Sequence, residues 1–160
     1  MLTINIISIG KIKEQYFKSA IEEYSKRLSK YCFLNIIELP DEKLPTKHSQ
    51  KLLDGVKTKE CLKILPFLKK DNYIICLDLK GTQITSEQLS QKIQDISLNY
   101  SSTITFIIGG TLGLTQEILN LADYKLSFSK MTFPHQMIKV FLLEQLFRAF
   151  KISNNEIYHW

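Results

Sequence analysis

The chain opens on a run of apolar and β-branched residues, Leu2–Ile9 (LTINIISI), that stops at Gly10. This predicts a strand closed by a turn. From Ile12 to Leu28 the apolar positions Ile12, Tyr16, Phe17, Ala20, Ile21, Tyr24 and Leu28 recur at helical spacing with charges between them, which predicts an amphipathic helix. Phe33–Leu39 reads as a second strand, stopped by Pro40-Asp41, and the stretch from there to about Ser49 as a loop. Leu52, Leu53, Val56, Cys61, Leu62 and Leu65 mark a second helix that ends near Pro66. Tyr73–Leu79 is a nearly continuous apolar run closed by Gly81, the pattern of a central parallel strand covered on both faces. Thr85 with Gln88 fits a capping box at the start of a third helix.

The last third of the chain has the densest pattern. The β-branched run Thr103–Ile108 breaks at Gly109-Gly110, and Gly113 follows one turn later. A short helical segment, a short strand, a hydroxyl-rich loop and a long helix opened by Pro134 come next. Strands alternating with helices predict an α/β fold, a mostly parallel sheet flanked by helices, with residues 1–160 as one domain. The order strand, glycine turn, helix, strand, loop, helix is how such folds place a ligand at the carboxyl ends of the strands.

The glycines alone are a weak signal. GGxxG differs from the dinucleotide fingerprint and lacks the Lys-Ser/Thr of a phosphate loop, so on its own it reads equally well as a plain tight turn. The loop Leu126–Gln136 (LSFSKMTFPHQ) crowds hydroxyls and a lysine before a helix N-terminus, where exposed N–H groups and a positive dipole end favour polar ligands. His135 sits in that first turn; its place beside the glycine turn makes a functional role at least as good a reading as a structural hydrogen bond. From Met137 to Phe150 only Lys139, Glu144, Gln145 and Arg148 interrupt the apolar residues. A helix apolar nearly all round is covered on several sides, and we expect a second copy of the chain to supply part of the cover, giving a homodimer. Glu144 and Arg148, four apart, are spaced to pair with each other.

Composition narrows the picture further. Of the 160 residues, 44% are hydrophobic and 23% charged, as in ordinary soluble globular proteins. No apolar stretch reaches the ~20 residues needed to span a bilayer. The N-terminus alternates like a strand and lacks a basic leader, so we read it as structure and expect a cytoplasmic protein. Three widely spaced cysteines with no CxxC pair argue for free thiols in a reducing compartment and against a zinc site, and no cluster of ligands suggests any metal. The net charge of +5 permits an anionic partner such as RNA without demanding one. Basic residues gather between Lys43 and Lys70, which reads first as a solvated helix face, with an RNA footprint as the competing reading.

Taken together, the strand-one ISIGKIKEQY, LPDEK after the second strand, LDLKG, FIIGGTLGL, LSFSKMTFPHQM, the LLEQLFRAFKI helix and the terminal Tyr158-His159 resemble the large-subunit ribosomal RNA methyltransferase H family, of the SPOUT class. The resemblance runs from Met1 to His159. It implies an α/β fold whose C-terminal part, from about residue 103, forms a deep trefoil knot, a topology that the rule of unknotted chains would have excluded. It also implies S-adenosylmethionine as cofactor, an obligate homodimer with an active site completed across the interface, and methyl transfer to N3 of a pseudouridine in 23S rRNA. The target lies in the intersubunit stem-loop, with the assembled ribosome as substrate.

Carried over by position, the resemblance implies cofactor contacts from Leu77, Gly109 and the loop Phe128, Ser129, Lys130, Met131, Thr132 and Phe133. His135, Arg148, Tyr158 and His159 would face the RNA and the target base. This sequence departs from the family pattern in Thr111-Leu112 before Gly113, in Lys139 where arginine is common, and in Trp160 where the terminal residue is usually basic. Lysine keeps the charge of arginine but loses its bidentate fork, while tryptophan could stack on a base in place of a phosphate contact.

Overall fold

A computed structural model describes residues 1–158. The expectations for His159 and Trp160 lie outside the described residues. Five strands, β1 (Leu2–Ile9), β2 (Cys32–Leu39), β3 (Tyr73–Thr82), β4 (Thr103–Ile108) and β5 (Tyr124–Leu126), form one sheet in the order β2-β1-β4-β3-β5. Every pairing is parallel. Among the described residues four α-helices connect them, α1 (Gln15–Leu28), α2 (Gln50–Leu62), α3 (Ser86–Asn99) and α4 (Gln116–Leu121), and α5 (His135–Ser153) follows β5.

The period-two alternation of β1 sorts the helices into two layers. Ile4 and Ile6 join Ile104, Phe106 and Ile108 of β4 in a core closed by Leu28 of α1, Leu89, Ile93 and Ile96 of α3, and Leu142, Leu143 and Leu146 of α5. Ile7, Ile9 and Ile107 point the other way, toward Cys61 of α2 and Ile118 of α4. The sheet is therefore covered on both sides, which explains why β4 is buried at every position from Ile104 to Ile108. The three cysteines are free and buried, and burial pushes the Cys32 and Cys76 thiols up to about 11 and about 12, so both stay protonated.

Strand β2 starts one residue before the sequence reading, at Cys32, and three further boundaries differ for local reasons. Ile12 belongs to the loop before α1: its side chain is buried and its N–H donates to Glu38 Oε2 at 2.8 Å. Leu65 and Pro66 sit in a separate 3₁₀ turn, Leu65–Phe67, because proline suits the start of a new turn better than the end of an old one. Strand β3 does not stop at Gly81 but runs through it to Thr82. Leu126 of β5 opposes both Leu77 and Thr82, so the intervening residues of β3 bulge away from their neighbour. The capping box of α3 forms as expected, with Thr85 Oγ1 accepting from Gln88 N–H at 3.1 Å and Gln88 Oε1 accepting from Thr85 N–H at 2.8 Å.

At Gly81 the backbone of β5 passes close to β3. A Cβ there would lie 2.7 Å from the Lys125 carbonyl oxygen and 2.9 Å from the Leu126 carbonyl carbon. These are backbone atoms and cannot swing aside, so Gly81→Ala must spread the two strands. We predict a loss of about 1–3 kcal/mol in urea unfolding, the usual cost of overpacking.

Candidate functional site

Helix α5 carries two polar groupings on different faces. The first is at its start, where the carboxyl ends of β1 and β2 meet it. Gly10 has φ +97, and a Cβ there would stand 2.7 Å from His135 Nε2, so the imidazole rests directly on the β1 turn. Gln136 Oε1 accepts from Lys13 N–H at 3.1 Å and ties the same loop to the helix. One turn on, Lys139 is fully buried. Its Nζ makes no hydrogen bond and lies 3.7 Å from Glu38 Oε2, an ion-pair distance too long for a hydrogen bond. Ser8, fully buried and in register with Glu38 on the neighbouring strand, also leaves its hydroxyl unpaired. Burial, then the Lys139 charge, holds His135 below its ordinary 6.5, and burial likewise lowers Lys139.

The second grouping lies further along. Glu144 Oε1 accepts from Arg148 Nη2 at 2.7 Å and Nε at 3.1 Å, as their spacing led us to expect. Tyr158 Oη donates to the same carboxylate at 2.9 Å, and the Arg148 guanidinium lies 4.1 Å from the Tyr158 ring centroid. Burial, then Glu144, raises the Tyr158 phenol above its ordinary 10. This cluster borders a cleft of about 340 Å³ between the start of α3, the loop after β5 and α5. Its walls are apolar at Ile84, Leu89, Leu126 and Phe141, and polar at Thr85, Ser86, Glu144 and Gln145. Ser86 Oγ donates to Gln145 Oε1 at 2.7 Å, so α3 and α5 are joined across its floor.

Of the residues expected from the sequence, Phe128, Ser129 and Phe133 line this cleft. Lys130, Met131 and Thr132 belong to the same loop and are exposed. Leu77 is half-buried beneath, paired in register with Leu126, and Gly109 sits at the end of β4 against the Gly113 carbonyl carbon. The structure joins Arg148 to Tyr158 but not to His135. Thirteen residues of helix separate them, about 20 Å along the axis, and about 140° around it. The α3 side of the cleft escaped sequence reasoning. The adjacent polar pair Glu144-Gln145 inside an apolar helix was the one signal pointing there.

Among the described residues no group of three or more His, Cys, Asp or Glu could hold a metal ion. No described helix is long and apolar enough to cross a membrane.

Comparison with known proteins gives a consistent result. A family model described as "Predicted SPOUT methyltransferase" matches residues 2–159. Proteins named ribosomal RNA large subunit methyltransferase H 1, from Clostridium perfringens SM101, and ribosomal RNA large subunit methyltransferase H, from the Hall strain of Clostridium botulinum, are 56% and 57% identical over 158 residues, covering 99% of this chain and 99% of theirs. A solved structure of a probable methylase family protein from Haemophilus influenzae Rd KW20 shares the fold, with a TM-score of 0.60 at 16% identity, over 100% of this chain and 72% of that one.

The His135 setting predicts an acid-sensitive contribution to stability. Because its folded pKa lies below the unfolded 6.5, the unfolded chain binds more protons in that window, and stability falls as pH drops below about 6.5. An imidazole NMR titration should give a His135 midpoint below 6.5, and Lys139→Met should raise it. An unchanged midpoint in Lys139→Met would assign the whole shift to burial.

Proposed function

Because this chain belongs to the ribosomal RNA large subunit methyltransferase H family of SPOUT methyltransferases, we propose that it transfers a methyl group from S-adenosylmethionine to N3 of a pseudouridine in 23S rRNA. The substrate is the assembled ribosome, and the target lies in its intersubunit stem-loop. The observation that carries the reading is the cleft beside the Glu144–Arg148–Tyr158 cluster, walled by the loop that also supplies Phe128, Ser129 and Phe133. Apolar walls with a polar floor suit a ligand that has a flat aromatic ring at one end and a charged amino-acid group at the other. Leu77, Gly109 and residues 128–133 would hold it, and when bound it supplies a methyl on a sulfonium sulfur.

The rest is positioning and proton removal. In-line displacement needs aligned partners, and alignment alone can supply up to about 7–11 kcal/mol of a barrier. The target nitrogen must lose an imide proton. His135, held neutral at pH 7 by its burial and by Lys139, is suited to accept it. Arg148, oriented by Glu144 and by the Tyr158 ring, would meet phosphate or the developing negative charge on the base. The family assignment also extends the role of base to His159 as an alternative to His135.

His135 and Arg148 cannot serve one base within one chain, given their separation along and around α5. We therefore read the active site as composite, with His135 from one protomer and the Arg148–Tyr158 cluster from its partner in a homodimer. Apolar side chains left exposed beside the cleft, Met131 at 73%, Phe133 at 37% and Phe141 at 37%, support such an interface. The family assignment extends this reading to a knotted C-terminal region from about residue 103 onward.

The first test is transfer of a labelled methyl group to ribosomes lacking the modification, with free ribosomal RNA alongside. Label in one pseudouridine of whole ribosomes is the expected result. Label in free RNA as well would remove the need for assembly, and no label with the cofactor bound would point to another acceptor. His135→Ala should slow single turnover by about 10²–10⁴ if it is the base. Mixing refolded His135→Ala and Arg148→Ala chains should restore roughly a quarter of wild-type activity, from one intact site in each mixed dimer. No recovery would place both residues in the same chain's site.

A further inference from the structure

The whole excess of positive charge lies in one stretch. Between Lys43 and Lys70 there are eight lysines against two carboxylates, Asp54 and Glu60, an excess of six in a chain whose net charge is +5. Everything else taken together is therefore slightly acidic. Glu60 is buried rather than presented among the lysines, and burial raises its carboxyl. Lys63 is engaged, with Nζ 2.8 Å from Glu42 and donating to the Pro40 carbonyl at 2.7 Å. Lys43, Lys47, Lys51, Lys59, Lys69 and Lys70 are exposed, and none makes an ion pair among the described residues. A solvated helix face normally balances charges of both signs; across this stretch lysines outnumber carboxylates eight to two.

These lysines ride on a braced platform. Glu60 accepts from Glu42 N–H at 3.0 Å, holding the loop after β2 to α2, and its carboxylate lies where a Cβ on Gly110 would meet it at 3.1 Å. Thr115 N–H donates to Cys61 Sγ at 3.3 Å, fastening α2 to the segment beyond the glycine turn. The basic segment is thus anchored at the carboxyl edge of the sheet, the edge at which His135 rests on Gly10. It lies on the α2 and α4 side, away from α1, α3 and α5. Leu44, Leu52, Leu62 and Phe67 are exposed among the lysines, at 42%, 46%, 53% and 38%.

We propose that the segment from Lys43 to Lys70 is a docking surface for the ribose-phosphate backbone of ribosomal RNA, gripping phosphates while residues at the sheet edge meet the target base. The proposal rests on the ribosomal RNA reading above and adds the surface that would carry most of the affinity. Contacts of this kind position a protein without reading sequence. They also release counterions, so they leave a signature in the salt dependence. An anionic lipid surface is the rival occupant, since exposed leucines among lysines would suit it. The anchoring to the glycine turn and the His135 edge favours the RNA.

The test compares ribosome binding by wild type and by a variant with Lys43→Ala, Lys47→Ala, Lys51→Ala and Lys59→Ala, by sedimentation between about 50 and 200 mM salt. The slope of log affinity against log salt should fall by roughly three, at about 0.7–0.9 per lost phosphate contact. KM for ribosomes should rise at least about tenfold, with kcat and S-adenosylmethionine binding unchanged, as expected for lost uniform binding. A control with Lys18→Ala and Lys26→Ala on α1 and Lys30→Ala in the turn after it should keep the wild-type slope. An unchanged slope in the four-lysine variant, or an equal drop in the control, overturns the proposal. So does a result in which the four lysines govern binding to phosphatidylglycerol vesicles and leave ribosome binding intact. Because sedimentation does not depend on methyl transfer, wild type that binds through these lysines yet transfers no methyl would sink the proposed chemistry and leave the docking surface standing.

Discussion

One helix has to satisfy three demands at once, and the rest of the fold is arranged around it. Helix α5 buries Leu142, Leu143 and Leu146 in the sheet core, packed against α1 and α3. Its first turn supports a histidine against β1, and a third face presents Glu144 and Arg148 beside a cleft. An amphipathic helix has one apolar stripe and one polar face. This helix has polar residues at two places more than a third of a turn apart, so it cannot be solvated in the ordinary way. Its apolar character follows from being enclosed by α1, α3 and the sheet. That enclosure within the chain accounts for most of what the sequence suggested a second subunit would cover. The apolar surface left over is local, at Met131, Phe133 and Phe141.

The Gly10 contact shows how backbone and side-chain chemistry are tied together. A positive φ at Gly10 turns the chain sharply after β1 and leaves a Cβ-free surface, and the His135 ring occupies that surface. Beneath the ring, Lys139 carries a charge into the core with no hydrogen bond and only a 3.7 Å approach to Glu38. Burying an incompletely paired ammonium is unfavourable, and such an arrangement persists where the surrounding structure over-determines it. Here β1, β2 and the loop through Ile12 converge on Glu38, whose carboxylate also takes the Ile12 N–H. Burial first, and then the charges of Lys139 on its own helix, Asp41, Lys13 and Glu38, set where the histidine titrates.

Much of this was legible in the sequence. The strands, the alternating order, the capping box at Thr85 and the Glu144–Arg148 pair all follow from local rules, and local rules are what residue spacing records. Gly81 looks like a stop from sequence because a glycine has the same signature whether a strand ends or a neighbouring backbone passes close. Ile12 was read into α1 because its spacing fits, though its N–H is taken by a carboxylate 26 residues away. The cleft was half legible. The loop from Phe128 to Phe133 stood out by its hydroxyls, but the opposite wall comes from α3, joined to α5 through Ser86 and Gln145 across 59 residues. Nothing in local spacing encodes a contact of that range.

The separation of His135 from Arg148 bears on why so short a chain is built this way. A protein of this size has a single sheet and few loops with which to surround a base on a large RNA. Placing the two polar groupings toward opposite ends of one rigid helix fixes each with respect to the core but keeps them apart within the chain. Two copies related by a twofold axis perpendicular to α5 would bring the start of one α5 toward the end of another, so a symmetric pair could assemble what one chain cannot. The same arrangement would turn the α2 faces outward on each copy, because they lie on the far side of the sheet from α5. Affinity for a polyanion and chemistry at one base would then be handled by opposite faces of the same sheet, with the glycine turn after β4 and the Gly10 turn after β1 linking them along its carboxyl edge.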